Sequence, residues 1–307
     1  MSNAIKELVE GLSQPQKMIS PKYFYDEIGS QLFEEITELP EYYLTDAELD
    51  IMRTHVDEMA TLIGKQASLI EYGSGSSLKT RVLLGHLDEL AAYVPVDISA
   101  DHLYASAQRI RNEFPALAVH PVVADFTRAF ALPTPATMPV KNVVYFPGST
   151  LGNFEYAEAM DLMRVMYGEA GDGGALLIGL DLQKDPDIIH RAYNDSKGVT
   201  AKFNLNMLRH LNTNYGANFD VDAFEHRAEY DEEMGRVVLE LVSQKEQTVV
   251  VGDTEFEMAD GEAILTEYSH KYTLEGFARM AHDAGLEVEK VWTDPEQLFS
   301  VQYCTRA

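Results

Sequence analysis

At 307 residues and 46% hydrophobic content, the chain carries enough apolar surface for one large or two interleaved domains and is not a disordered polymer. Fifty acidic residues against 24 basic give a formal charge of −26, which repels nucleic acid and anionic lipid and leaves small molecules as the expected partners. A single cysteine, Cys304, excludes an internal disulfide framework, fits a reducing compartment and reads as a packed strand residue. The N-terminal stretch has no long apolar run, and segments such as Ala175 to Leu180 are too short to span a bilayer, so a cytoplasmic location is expected.

Residues 1–60 read as mostly helical. Ile5, Leu8, Val9 and Leu12 fall at helical spacing, and a second periodic stretch runs from Ile28 through Leu39 until Pro40 ends it. After the tyrosine pair Tyr42-Tyr43, Thr45 with Glu48 three residues later predicts a capping box that opens the next helix. From Ala67 onward, buried strands alternate with amphipathic helices, the mark of a parallel sheet covered on both faces. The expected strands are Ser68–Tyr72, Ala92–Val96, Val119–Val123, Lys141–Phe146 and Ala175–Leu180, with crossover helices at Lys79–Leu90, Asp101–Phe114 and Tyr156–Tyr167.

Behind the first of these strands, Gly73-Ser74-Gly75 predicts a tight turn feeding a helix, a place where backbone approaches a ligand closely. The third glycine of G-x-G-x-x-G is missing, because Leu78 stands there, and Leu78 before Lys79-Thr80 also excludes a phosphate-cradling P-loop. Asp97 follows the second strand about 20 residues past the turn, where a carboxylate can accept from ribose hydroxyls. Asp125-Phe126 follows the third strand and can take an exocyclic amine and cover a ring. Gly148-Ser149-Thr150-Leu151-Gly152-Asn153 follows the fourth, its small residues leaving space and Thr150 and Asn153 offering hydrogen bonds. On this spacing alone a dinucleotide-using oxidoreductase and a ligand-free turn both stay open.

Beyond Leu182 the alternation stops. Residues 183–218 read as a helical insert with Tyr193, Phe203, Met207 and Leu211 as packing positions, followed by antiparallel strands at Arg236–Val242, Gln247–Val251 and Glu262–Ser269. A closing helix Leu274–Ala284 and strands Leu286–Val291 and Phe299–Cys304 return to the sheet pattern. His190, His226 and His270 have no paired ligand spacing, so core or surface roles are expected of them and no metal is.

Taken together, KYFYDEIGSQLFEEITELPEYYLTDAE, IEYGSGSSLKT, VPVDIS, ADF, YFPGSTLGNF, GLDLQKD, AYNDSKGVTAKFN, FDVDAFEHRAEY and GEAILTEYSHKY resemble the S-adenosylmethionine-dependent L-histidine Nα-methyltransferases of ergothioneine biosynthesis. The resemblance runs through nearly the whole chain. It implies an α/β fold, a Rossmann-like class I methyltransferase doubly wound sheet with an inserted mixed α+β substrate-binding domain. The implied boundaries are 46–182 with 271–307 for the S-adenosylmethionine-binding domain, and 1–45 with 183–270 for the substrate domain. On the cofactor side it implies Tyr25, Gly73, Lys79, Asp97, Asp125 and Phe126; on the substrate side Tyr42, Gly148, Thr150, Asn153, Tyr193, Leu239, Glu267 and Ser269. Asn153 and Tyr193 would hold the substrate carboxylate, and Tyr42, Glu267 and Ser269 the imidazole, with Tyr42 and Asn153 as catalytic candidates. Family members commonly carry Ile-Glu-Met where this chain has Val237-Val238-Leu239, which leaves the shape of the ring pocket open.

The implied reaction moves three methyl groups to the α-amine of histidine and gives hercynine, with S-adenosylmethionine as co-substrate and a monomer as the expected state. Methyl transfer from a sulfonium is an in-line displacement that needs alignment and exclusion of water, and neither a nucleophilic side chain nor a metal. Two alternatives stand beside it: a methyltransferase of the same family acting on another amino acid or a histidine derivative, and a non-catalytic small-molecule-binding protein. Glu267 argues against tryptophan, because an indole offers one donor and a buried carboxylate pairs poorly with it.

Overall fold

A computed structural model describes residues 3–74, 78–128 and 130–306. In chain order the elements are α1 (Asn3–Leu12), α2 (Glu27–Thr37), α3 (Tyr43–Ile63), β1 (Ala67–Tyr72), α4 (Leu78–Leu84), β2 (Ala92–Asp97), α5 (Ala100–Glu113) and β3 (Val122–Val123). They continue with β4 (Lys141–Phe146), α6 (Tyr156–Ala170), β5 (Ala175–Asp181), α7 (Pro186–Tyr193), α8 (Val199–Tyr215), β6 (Phe224–Asp231), β7 (Arg236–Ser243) and β8 (Gln247–Val251). The last are β9 (Thr254–Met258), β10 (Ala263–His270), α9 (Leu274–Asp283), β11 (Leu286–Thr293) and β12 (Phe299–Arg306).

The chain divides into two compact units: Leu44–Gln183 with Lys271–Ala307, and Met1–Tyr43 with Lys184–His270. The first holds a seven-stranded sheet in the order β11-β12-β5-β4-β1-β2-β3. β3, β2, β1, β4 and β5 run parallel, while β12 is antiparallel to β5 and β11 to β12. This is the doubly wound arrangement the alternating pattern predicts, and the strand order reverses between β1 and β4, which makes that gap the place where ligands bind in such sheets. Both faces are covered, so β1 and β5 are buried along their whole length. The core on one side gathers Ile70, Val144, Met163, Leu176, Phe277 and Ala281.

Sheet and chain return are locked by a buried ion pair. Lys271 Nζ lies 2.8 Å from the Asp181 carboxylate, and both side chains are fully buried. The Tyr272 amide donates to the Asp181 carbonyl and the Gln183 amide to the Tyr272 carbonyl, which pins the end of β5 to the strand leading into α9.

The second unit holds the antiparallel sheet β10-β7-β6, the hairpin β8-β9 and helices α1, α2, α7 and α8. Its core packs Leu8, Phe24, Phe203, Met207, Leu241 and Ile264, with Phe24 and Phe203 stacked at 4.5 Å between centroids. No helix among the described residues is long and apolar enough to cross a membrane.

Some local expectations are corrected. α3 begins at Tyr43, so Thr45 and Glu48 lie inside the helix and do not form a capping box at its start. α4 stops at Leu84 and not at Leu90, because Gly85 leads the chain into a turn. β3 is confined to Val122–Val123, with Val119 making an isolated bridge to Tyr93, since Pro121 between them has no N–H for the ladder. β6 and β9 are strands the pattern reading does not mark. β9 had a signal: Phe256 and Met258 alternate with glutamates after the two-residue Gly252-Asp253 turn. Cys304 is buried in β12, as its sequence context predicts.

Replacing Lys271 by Met leaves the Asp181 carboxylate buried without its ammonium, and about 3–5 kcal/mol of stability is expected to be lost. Urea unfolding of the purified variant against wild type measures it.

Candidate active site

The carboxyl ends of β1, β2 and β3 carry, in the sheet unit, Gly73, Asp97 and the Asp125-Phe126 pair that are expected on the cofactor side. Gly73 leaves β1 with φ +70°, a conformation that favours glycine, and its amide donates to the Val96 carbonyl at 2.9 Å. A Cβ at Gly73 would lie 3.9 Å from the Phe126 ring, so turn and aromatic are neighbours. Phe126 stacks on Tyr72 at 5.2 Å and meets Phe146 edge-on at 5.7 Å. Asp97 closes β2, half-buried, and its Oδ1 accepts from the Ser99 amide at 2.9 Å. Asp125 accepts from the Thr127 amide and hydroxyl at 3.1 and 2.6 Å. Gly75 lies outside the described residues.

The loop behind β4 has an unusual backbone. Gly148 has φ +78° and Ser149 has φ +59°, two successive left-handed residues of which only the first is glycine. The Ser149 hydroxyl accepts from the Asp181 amide at 2.9 Å, and the Thr150 hydroxyl donates to the Pro147 carbonyl at 3.0 Å. Gly148 itself donates to the Glu48 carboxylate, which also accepts from the Lys79 ammonium. Asn153 ends the 3₁₀ turn Thr150–Asn153, half-buried.

Glu48 is the site residue that pattern reading assigned elsewhere. Leu44, Ala47, Glu48, Ile51 and Met52 form the buried stripe of α3, and a carboxylate on such a stripe is the signal that marks it. A second buried carboxylate, Glu71, sits in β1 and accepts hydrogen bonds from the Thr80 and Tyr93 hydroxyls. Burial pushes its pKa up to about 8 against the opposing pull of those two hydroxyls.

The residues of the other unit that are expected to meet the substrate converge on one face of its sheet. The pairing of β10 with β7 shifts between Leu265 and Glu267, so Thr266 is an extra residue, and its hydroxyl donates to the Leu239 carbonyl at 3.0 Å. Past this bulge Glu267 stands opposite Leu239 and Ser269 opposite Val237. Tyr193 and Ser269 share a hydrogen bond at 2.8 Å, and the rings of Tyr42 and Tyr193 meet edge-on at 6.2 Å. Tyr193 is further held by His226, whose Nε2 lies 3.0 Å from its carbonyl and whose Nδ1 lies 2.9 Å from the Asn204 amide. Burial lowers the His226 pKa, against the opposing pull of the Tyr193 carbonyl. Tyr25 packs edge-on against Phe24, Phe33 and Phe203.

Val238 stands opposite Tyr268, on the other face of the sheet from Glu267 and Leu239. The departure from the family pattern at Val238 therefore faces away from the candidate ring contacts, whereas Leu239 faces them.

The donor set beside Gly73 suits S-adenosylmethionine: a carboxylate for ribose hydroxyls, a second carboxylate and an aromatic for adenine, and an ammonium for a carboxylate. Among the described residues no group of three or more His, Cys, Asp or Glu is arranged to hold a metal. Residues 4–306 match the family described as histidine-specific methyltransferase, SAM-dependent.

The chain belongs to this family.

It is 36% identical over 307 residues to the histidine N-alpha-methyltransferase of Mycolicibacterium smegmatis, covering 98% of this chain and 94% of that protein. Ergothioneine biosynthesis protein 1 of Neurospora crassa is 32% identical over 277 residues, covering 88% of this chain and 31% of that protein. Among solved structures, an S-adenosylmethionine-dependent methyltransferase from Clostridium acetobutylicum covers 91% of this chain and 96% of its own with TM-score 0.50 and 10% identity, a likeness of fold. The histidine-specific methyltransferase family thus accounts for the doubly wound sheet, and membership makes S-adenosylmethionine the co-substrate.

Glu71 gives this family member a pH signature. Its folded pKa, about 8, lies above the ordinary carboxylate value of 4.5, so the stability carried by the protonated form is complete below pH 4.5 and is lost as pH rises through about 8. Glu169, pushed up to about 7 by burial, adds a drop of the same sign at lower pH. Unfolding free energy is expected to fall from about pH 5 to 8, and Glu71→Gln is expected to flatten the upper part of that slope in urea titrations.

Proposed function

We propose that the protein transfers three methyl groups in succession from S-adenosylmethionine to the α-amine of L-histidine, giving hercynine in ergothioneine biosynthesis. The observation that carries this reading is the match to a histidine-specific, S-adenosylmethionine-dependent family across residues 4–306. The polar cluster of Tyr193, Ser269 and Glu267 supports it.

When bound, S-adenosylmethionine supplies an electrophilic methyl group on a sulfonium. The chain's residues do the rest. Asp97 takes the ribose hydroxyls, Asp125 and Phe126 the adenine, and Lys79 the carboxylate of the amino-acid portion, with Gly73 admitting that portion close to the backbone. Tyr25 is assigned to the same ligand. On the substrate, Asn153 and Tyr193 hold the carboxylate, and Tyr42, Glu267 and Ser269 hold the imidazole, Glu267 accepting a ring N–H. Tyr42 and Asn153 orient the neutral amine in line with the methyl, and Gly148, Ser149 and Thr150 border the space that a growing methylated nitrogen needs. Positioning of this kind supplies up to about 7–11 kcal/mol of the barrier without a nucleophile or metal. The charge of −26 supports a small-molecule partner and no nucleic acid, and a cytoplasmic monomer is the proposed working form.

Leu239, directly opposite Glu267, keeps a second reading in view, a family enzyme acting on another amino acid or a histidine derivative. Incubation of the purified protein with S-adenosylmethionine and each common amino acid, followed by mass spectrometry, separates the two. Trimethylhistidine is the expected product; product from a different amino acid alone would move the assignment there, and none from any would favour a binding protein.

Removing the carboxylate at the ring should act on the substrate side only. Glu267→Ala is expected to lower kcat/KM for histidine by about 10- to 150-fold, the loss of one charged hydrogen bond, with S-adenosylhomocysteine affinity unchanged by calorimetry.

A further inference from the structure

Glu48 reaches both sides of the reaction, and no step above uses it. Its Oε2 accepts from the Lys79 ammonium and, at 2.9 Å, from the Gly148 amide, while Oε1 lies 3.2 Å from the same amide. The side chain has 0% exposure, against 19% for Lys79. Room for it exists only because position 179 is glycine: a Cβ there would come within 2.2 Å of Oε1. The Lys79 ammonium in turn lies 3.6 Å from where a Cβ on Gly148 would stand.

One anion therefore touches the helix behind β1 and the loop behind β4, the two flanks of the point where strand order reverses. Each partner needs an anchor. A lysine ammonium on a four-carbon stem points nowhere in particular until a partner takes one of its donors and directs the rest. The left-handed pair Gly148-Ser149 keeps its conformation only while surrounding contacts over-determine it, and Glu48 at one amide and Asp181 at the Ser149 hydroxyl are among those contacts, with the Thr150 hydroxyl on the Pro147 carbonyl and the Gly152 amide on the Ser149 carbonyl.

From these contacts we infer that Glu48 is a positioning residue, which aims the Lys79 ammonium at the carboxylate of S-adenosylmethionine and sets the Gly148 loop with the same side chain. The inference rests on the assignment of Lys79 to the co-substrate made above. Glu48→Gln keeps the shape but removes the charge that holds the Lys79 ammonium, and in either orientation its amide sets an N–H against a donor.

The test is a double-mutant cycle read by calorimetry with S-adenosylhomocysteine on the full chain: wild type, Glu48→Gln, Lys79→Met and both together. Glu48→Gln is expected to weaken binding about tenfold or more in the wild-type background and less than about threefold in the Lys79→Met background. Steady-state kinetics should show KM for S-adenosylmethionine rising by a larger factor than kcat falls. Equal losses in both backgrounds, which a merely structural role would produce, overturn the inference, as does unchanged or tighter binding in Glu48→Gln. If Glu48→Gln does not fold, Gly179→Ala crowds the same carboxylate without changing charge; it should reproduce the loss and its dependence on Lys79, and full affinity in that variant overturns the inference. The cycle reads binding alone, so a wild type that binds S-adenosylhomocysteine but leaves histidine unmethylated sinks the proposed function and not this inference.

Discussion

The contact of one buried carboxylate with an ammonium and a backbone amide joins three pieces of chain that are far apart in sequence. Glu48 belongs to the helix before the sheet, Lys79 to the first crossover and Gly148 to the end of the fourth strand. Removing a charge from water is costly, and the cost is offset only where every oxygen is answered. The consequence is a local rigidity that nothing in the surrounding apolar core could impose, because dispersion contacts do not direct donors. The geometry of the candidate cofactor and loop contacts depends on that rigidity.

The sheet unit handles its other buried acids in different ways. Asp181 is answered by a lysine arriving from the returning chain, and that pair fixes where the second segment of the unit begins. Glu71 is met by the Thr80 and Tyr93 hydroxyls, and burial outweighs their pull and that of the Lys79 charge, pushing its pKa up to about 8. The same residue type thus meets an ammonium at one place and hydroxyls at another, and the neighbours decide how each carboxyl group is held.

In the other unit the deciding feature is parity. A strand shows alternate residues to alternate faces, so one extra residue moves everything beyond it to the opposite face. Thr266 is that residue in β10. Because of it, Glu267 and Ser269 share a face with Ile264, Leu239 and Val237, and Tyr268 turns to the side of Val238. The hydroxyl of Thr266 satisfies the Leu239 carbonyl that the broken ladder would otherwise strand. The polar strand ending that the sequence shows is therefore a device for bringing Glu267 and Ser269 to the face where Tyr193 lies.

Much of the sheet unit was legible in the amino-acid sequence. Period, strand composition and the glycine turn are local properties, so β1, β2, β4, β5 and α6 fall within a few residues of their expected positions, and the acids at the strand ends follow from the fold's topology. The long ordered motifs likewise sufficed for the family. Tertiary structure alone decided what depends on partners distant along the chain. Pattern made Glu48 a cap for its own helix, and only packing against Lys79, Gly148 and Gly179 reveals a bridge between loops. Pattern also could not number the faces of β10, since a bulge is defined by the register of two strands and belongs to neither sequence alone. Local propensity is written residue by residue; pairing and desolvation are properties of neighbours, and neighbours exist only once the chain has folded.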